Sequence, residues 1–283
     1  MSVERCVYKS YNPGRRASRR WMSWHNHTGA YPFFSHCATP GLSVGRYKAA
    51  MDGEDGEAWA GFAITEHAFA IANPDPHSSW PEHWYNDRSL FVPETVERRI
   101  GECLNYYGSF RDNVKFFTGI EIESDANGEL AVPKERLGEF GIVIASVHCE
   151  AGEFRDCWSR HFYHLDKALK MPAEIMAHPV RRLRKYSSVQ NPLPHEIVDE
   201  TLDRIKAAGM AVEINAHYPQ LHDDVLMLRG AAERGMRVAF SMDLHYPEEF
   251  GNWRYFEDVC VMSGVNPDKD LRLFEARKGI WGV

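Results

Sequence analysis

The sequence predicts an α/β fold whose parallel strands close into a barrel. Three observations carry that expectation. Strand-like and helix-like stretches alternate about seven times, roughly 20–45 residues apart, which is the pattern of successive βα units. Apolar, β-branched runs repeatedly stop at a histidine or a carboxylate: residues 61–67 end at His67, 116–123 carry Glu121 and Glu123, and 142–148 end at His148. Residues 173–178 end at His178, 210–215 hold Glu213 and Asn215, and 238–245 reach Asp243 and His245. Functional side chains of α/β barrels collect at the C-terminal ends of their strands, where these residues fall. No glycine-rich phosphate loop follows the first strand, so a doubly wound nucleotide-binding sheet is the weaker alternative.

The elements follow in order. Residues 1–20 read as an irregular arm in front of a single domain spanning 21–283. A first strand leads to Trp24-His25-Asn26-His27-Thr28; in extended chain, residues i and i+2 share a face, so His25 and His27 can enter one pocket. The stretch 29–40, with several aromatics and His36, has the length of an active-site loop. A short helix is expected over 43–53 and strand two over 62–65. Residues 68–91, rich in proline and tryptophan, read as a packed lid loop. Val96, Ile100 and Leu104 recur every fourth residue, which makes 93–107 an amphipathic helix with Pro93 near its start. Asn127-Gly128 marks a turn after strand three. Strand four leads to His148, a helix follows near 157–169, and Pro179 ends strand five just past His178. The remaining expectation is a helix over 194–208 closed by Gly209, strand six at 211–215, a helix near 220–234, strand seven at 238–245, a helix over 248–262, and a last strand near 271–276.

Composition fits a water-soluble globular chain: 283 residues, 44% hydrophobic, 26% charged, net charge -7. That sign argues against an extended nucleic-acid surface. No apolar stretch approaches the ~20 residues of a membrane span. Arg15, Arg16, Arg19 and Arg20 are followed by no apolar run, so neither a secretory nor a twin-arginine signal is supported; the arginines read as a solvated arm and the protein as cytoplasmic. The six cysteines are scattered without a Cys-x-x-Cys pair, which disfavours a zinc knuckle and suits reduced thiols.

Imidazoles and carboxylates are ligands of zinc, manganese and iron, and a convergent set of them can hold two or three ions. Any one of His67, His148 or His178 is more simply a hydrogen-bonded histidine. Eight such residues placed at the ends of the same kind of strand make coincidence a poor account. By contrast His77, His83, His161, His164, His195 and His222 lack that placement and read as surface or lid residues.

The ordered set His25-Asn-His27, Thr65-Glu-His67, Gly119-Ile-Glu121, Ser146-Val-His148, Ala177-His-Pro179, Glu213-Ile-Asn215 and Asp243-Leu-His245 resembles the PHP (polymerase and histidinol phosphatase) family over about residues 21–250. The resemblance implies a distorted seven-stranded (βα)7 TIM-like barrel with two or three divalent ions (Zn, Mn or Fe). It implies that His25, His27, Glu121 and Asp243 bind one ion and that Glu121 bridges to a second held by His148 and His178. A third would take His67, His245 and a loop histidine, for which His36 is the candidate at a longer separation from His27 than the family shows. Glu66 stands where the family has aspartate. The implied activity is hydrolysis of a small-molecule phosphoester by a metal-bridging hydroxide, with a nucleotide among the possible substrates. A phosphate also wants a bidentate cation, for which Arg181 and Arg182 are the candidates, and His217 is placed to contact substrate or act as an acid. The alternatives are an amidohydrolase-type enzyme acting on an amide, lactone or carboxyl ester, and a non-catalytic metal-binding module.

Overall fold

Eight parallel strands curl into one sheet in sequence order, β1 to β8. The computed structural model describes residues 7–12, 14–29, 39, 41–53, 56–73, 85–108, 116–150, 152–186 and 191–276. The strands are β1 (Trp21–Ser23), β2 (Trp59–His67), β3 (Phe116–Ile122), β4 (Ile142–Ala145), β5 (Ile175–Met176), β6 (Ala211–Asn215), β7 (Arg237–Ser241) and β8 (Arg272–Leu273). The count is eight, one more than the expected seven, because the stretch near 271–276 adds a two-residue strand beside the start of β7. The curl brings the two ends of the sheet back together. The Trp24 N–H bonds the Phe240 carbonyl at 3.2 Å, the Asp243 N–H bonds the His25 carbonyl at 2.7 Å, and Asn26 bridges Leu244 in parallel. The result is a TIM-like half-barrel.

The helices lie between strands: α1 (Val44–Asp52), α2 (Ala68–Ala72), α3 (Pro93–Gly108), α4 (Cys157–Ala168), α5 (His195–Ala207), α6 (Leu221–Glu233) and α7 (Trp253–Ser263). Two of these differ from expectation. The start of the expected lid is the buried helix α2, an all-apolar run continuing from β2, while 74–84 lie outside the described residues. The expected helix over 248–262 begins instead as a 3₁₀ turn, Pro247–Asn252, and becomes α-helical only at Trp253. Among the described residues no helix is long and apolar enough to cross a membrane.

The alternation along each strand sorts the interior. Ala63, Ile142, Ile144, Ile175, Ala177, Ala211 and Ala239 pack with Trp24 and Phe274 as one apolar plug, while the larger core lies between the sheet and the helices. Two or four residues further along the same inner faces come Thr65 and His67, Glu213 and Asn215, and Asp243. The strands therefore seat polar residues on an apolar floor. Gly119, two positions before Glu121, permits this crowding: a Cβ there would meet the Ile142 carbonyl at 2.5 Å.

The arm is irregular but not free. The Tyr8 and Ser10 hydroxyls and Arg15 all bond Asp258 of α7, and the Ser18 hydroxyl bonds Glu257. Arg15 and Arg19, expected to be solvated, pair with Asp258 and Asp268. His161 and His164, expected at the surface, are buried on the inner face of α4. His195 and His222 are exposed as expected, and His77 and His83 lie outside the described residues.

Candidate metal centre

His25, His27, His67, Glu121, His148, His178, Asp243 and His245 converge above the apolar plug. Only His67 and Glu121 belong to regular strand, where the register sets them opposite each other. The others lie a few residues beyond strand ends, so backbone outside the ladder aims them. His25 and His27 follow β1, held by the bonds to β7 and by Thr65 N–H to the Asn26 carbonyl at 2.8 Å. His178 and Asp243 adopt left-handed backbone, φ 28° and 51°, which is unusual for side chains other than glycine.

Glu121 is the centre of the arrangement and is fully buried. Its Oε2 lies 3.2 Å from His25 Nε2, 3.6 Å from His27 Nε2 and 2.6 Å from His67 Nδ1. Its Oε1 lies 3.5 Å from His148 Nε2 and 3.4 Å from His178 Nε2. One carboxylate thus presents each oxygen to a different set of imidazoles. Asp243 Oδ1 approaches His27 Nε2 at 3.1 Å and His25 Nε2 at 3.6 Å. Ligand atoms of His27, His67 and His245 lie within 4.8 Å of one another, as do those of His25, His178 and Asp243, and those of Glu121, His148 and His178.

These residues fit metal ions. Both Glu121 oxygens, His25 Nε2 and His178 Nε2 are buried without a hydrogen-bond partner. Leaving such atoms unpaired costs roughly 1–3 kcal/mol each, and here they face one another across gaps an ion would fill. The outer nitrogens of several imidazoles are held by carboxylates, the usual way a ligand histidine's ring is oriented. Glu213 Oε1 lies 3.0 Å from His25 Nδ1, and Glu123 Oε1 lies 3.1 Å from His148 Nδ1. Glu66 reaches only to 3.7 Å from His27 Nδ1, while its other oxygen accepts the Thr28 N–H and hydroxyl.

Electrostatics ionise the carboxylates and divide the imidazoles. Burial pushes Glu121 up, but the charges of His67, His25 and His148 outweigh it and hold the group well below the usual carboxylate range. Burial likewise opposes ionisation of Asp243, and His25 and Arg181 overcome it. Burial lowers His67, His245 and His178, the last to about 3. Neighbouring carboxylates overcome burial at the other imidazoles around Glu121: Asp243 and Glu121 raise His25, Asp243 and Glu66 bring His27 up to about 9, and Glu123 and Glu121 raise His148. A cation binds ionised carboxylate and neutral imidazole, so at His25, His27 and His148 metal and proton compete for the same ring nitrogens.

Arg181 begins the 3₁₀ turn after His178. Its Nη2 donates to Asp243 Oδ2 at 2.6 Å and to Asn215 Oδ1 at 2.7 Å, and its Nε is buried without a partner. Arg182 is half-buried, and its charge bears on Glu123 and His148. His217 is buried, with its ring stacked on His245 at 4.3 Å. His36 lies outside the described residues. Reading the sequence missed four residues here. Glu213 and Asn215 were visible as a motif without a role, Glu123 as a strand residue, and Glu249, which meets His217, carried no signal at all.

Three comparisons bear on this geometry. No family model matches the chain. It is similar to curated phosphatases. A probable phosphatase of Caldanaerobacter subterraneus subsp. tengcongensis is 27% identical over 192 residues, covering 61% of this chain and 69% of that protein. A probable phosphatase of Thermoanaerobacter sp. is 25% identical over 193 residues, covering 65% and 69%. The DNA polymerase/3'-5' exonuclease PolX of Bacillus subtilis is 26% identical over 136 residues, which are 47% of this chain and 22% of that one. Among solved structures, β-methylaspartase from Clostridium tetanomorphum aligns over 90% of this chain and 61% of its own with TM-score 0.38 and 11% identity.

Proposed function

We propose that the chain is a metal-dependent phosphoester hydrolase of the PHP type, acting on a small molecule, with residues 21–283 as one catalytic unit. The observation that carries this reading is Glu121, whose two oxygens face two separate sets of buried imidazoles, the arrangement a carboxylate shared by two ions requires. Similarity to two probable phosphatases and to a polymerase–exonuclease supports it. His25, His27 and Asp243 would hold one ion with Glu121, and His148 and His178 a second. His67 and His245 would hold a third, with His36 still the candidate to complete it. Zinc, manganese and iron all accept this donor set.

When bound, divalent ions supply Lewis acidity at a phosphoryl oxygen and lower the pKa of water toward neutrality. The chain's own contribution is to place the substrate. Arg181, with its unpartnered Nε beside Asp243, and Arg182, whose charge bears on partly exposed His148, would bind phosphoryl oxygens. His217 would contact the substrate. The apolar plug closes the opposite end, so substrate enters and product leaves from the same side. A nucleotide falls within this substrate class.

The test is phosphate release from phosphomonoesters, cyclic phosphates and nucleotides by protein loaded with manganese, zinc or iron, beside His148→Ala. The expected result is metal-dependent release that the variant lacks. Metal-loaded protein inactive on every member of the panel would overturn the reading in favour of carboxyl-ester or amide substrates.

A further inference from the structure

The loop after β6 is built with the same devices as the segments that carry candidate ligands, yet its supporting partner lies outside every recognisable motif. Among the described residues, three other than glycine have left-handed backbone: His178, Asp243 and Tyr218 at φ 53°. The first two aim candidate ligands, and the third directly follows His217. Such backbone persists only where its surroundings over-determine it. Here the Arg184 Nη1 donates to the Tyr218 carbonyl at 2.8 Å while Arg184 Nη2 grips both oxygens of Asp224. The Gln220 N–H donates to the Tyr255 hydroxyl, and Asn252 Nδ2 to the Ala216 carbonyl. Three side chains, Arg184, Tyr255 and Asn252, thus pin the chain at Tyr218, Gln220 and Ala216.

Glu249 ties this loop to the centre. It is fully buried on the 3₁₀ turn after β7. Its Oε2 accepts the backbone N–H groups of His245 at 2.7 Å and Tyr246 at 2.8 Å, and its Oε1 lies 2.6 Å from His217 Nδ1. The His217 N–H also donates to Asn215 Oδ1, the atom that accepts from Arg181. Burial pushes Glu249 up, and the His245 and Tyr246 N–H groups on one oxygen oppose that by favouring the carboxylate, which leaves the other oxygen to accept the imidazole proton. With Nδ1–H committed to Glu249, any action of His217 on substrate falls to Nε2.

We propose that Glu249 is a positioning residue for the hydrolytic reaction, fixing the tautomer and the plane of His217 and locking that ring to the His245 turn. Its kinetic consequence rests on the hydrolase reading above; its structural consequence does not. A glutamine in its place keeps the shape and exchanges one acceptor for a donor. With two backbone N–H groups holding the remaining oxygen, the new amide N–H₂ faces His217 Nδ1 and forces the ring proton onto Nε2.

The experiment compares wild type, Glu249→Gln, Glu249→Asp, His217→Ala and the Glu249→Gln/His217→Ala double variant, with folding checked by thermal melts. In the metal-free proteins, ¹⁵N chemical shifts of the His217 ring read the tautomer without any turnover. The expected result is Nδ1–H in wild type and Nε2–H in Glu249→Gln. In the loaded enzymes, Glu249→Gln should lose about 10–100-fold in kcat with KM little changed. Glu249→Asp should recover part of that loss, and the double variant should be no slower than His217→Ala. An unchanged tautomer in folded Glu249→Gln, or losses that multiply in the double variant, would overturn the proposal. Should no substrate be found, the ring shifts still decide it, so its failure is distinct from failure of the hydrolase reading.

Discussion

The two sides of Glu121 are built differently. On the Oε2 side, His25 and His27 are wholly buried, braced by Glu213 and by the backbone bonds that join the two ends of the sheet. On the Oε1 side, the His148 side chain is 15% exposed and lies within the field of the half-buried Arg182. The deep side is part of what closes the curled sheet, so its ligand geometry and its fold are one structure. On the outer side His178 is buried and shares Glu213 with His25, but the His148 edge takes no part in that closure, and under the proposed function a charged substrate would arrive there. This asymmetry separates residues whose loss costs the fold from residues whose loss costs only chemistry.

The largest effect should come from the atom set common to both sides. Glu121→Gln replaces one bridging oxygen by an amide and should reduce metal content on both sides together, with activity falling more than about 100-fold. Elemental analysis after dialysis checks it; full occupancy in the variant would mean that the two sides do not share a ligand. Next, the sides should separate. His25→Ala leaves buried Glu213 facing a void and should destabilise the fold by about 3–5 kcal/mol, as breaking a buried charged pair does. His148→Ala admits water at an open edge and should cost within about 1 kcal/mol of stability while removing one ion. Chemical denaturation of the metal-free variants compares them, and equal losses would erase the distinction. Smaller again, Arg181→Ala should raise KM about 10–100-fold, the scale of one charge-assisted hydrogen bond to phosphate, with Arg182→Ala weaker because it does not touch Asp243. Steady-state kinetics on the best substrate of the panel measures both.

The sequence made the inner faces legible because alternation is local. Ala63, Thr65 and His67, or Ala239, Ser241 and Asp243, announce a strand that is apolar below and polar above. What it hid depends on which strands become neighbours across the curl. Glu213 has no visible purpose until β6 and the segment after β1 face each other, and Glu249 lies on a 3₁₀ turn with no periodic pattern to flag it. The eighth strand was foreseen as an element but not counted, since only two of its residues pair. One misreading was avoidable. His161, His164, Leu165 and Ala168 fall at i, i+3, i+4 and i+7, the inward stripe of α4, so helical spacing already opposed a surface assignment for the two histidines.

His161 supplies the contrast for both sides of the centre, a buried imidazole without a carboxylate against it. Its Nε2 lies 3.0 Å from the Thr201 hydroxyl of α5, and burial, helped by the charge of Arg204, brings its pKa down to about 4. The folded state therefore binds fewer protons at this site than the unfolded state, whose histidine titrates near 6.5. The stability this contributes is complete above pH 6.5 and is lost as the pH falls from 6.5 toward 4. Integrated over that window it amounts to at most about 3 kcal/mol, and between pH 7 and pH 6 to about 0.7 kcal/mol. His161→Gln can keep the bond to Thr201 but cannot titrate. Urea unfolding of the metal-free wild type and variant at pH 7 and pH 6 should show the variant losing less stability by that amount. An equal loss in both would show that His161 contributes nothing to the acid sensitivity and that other groups carry it.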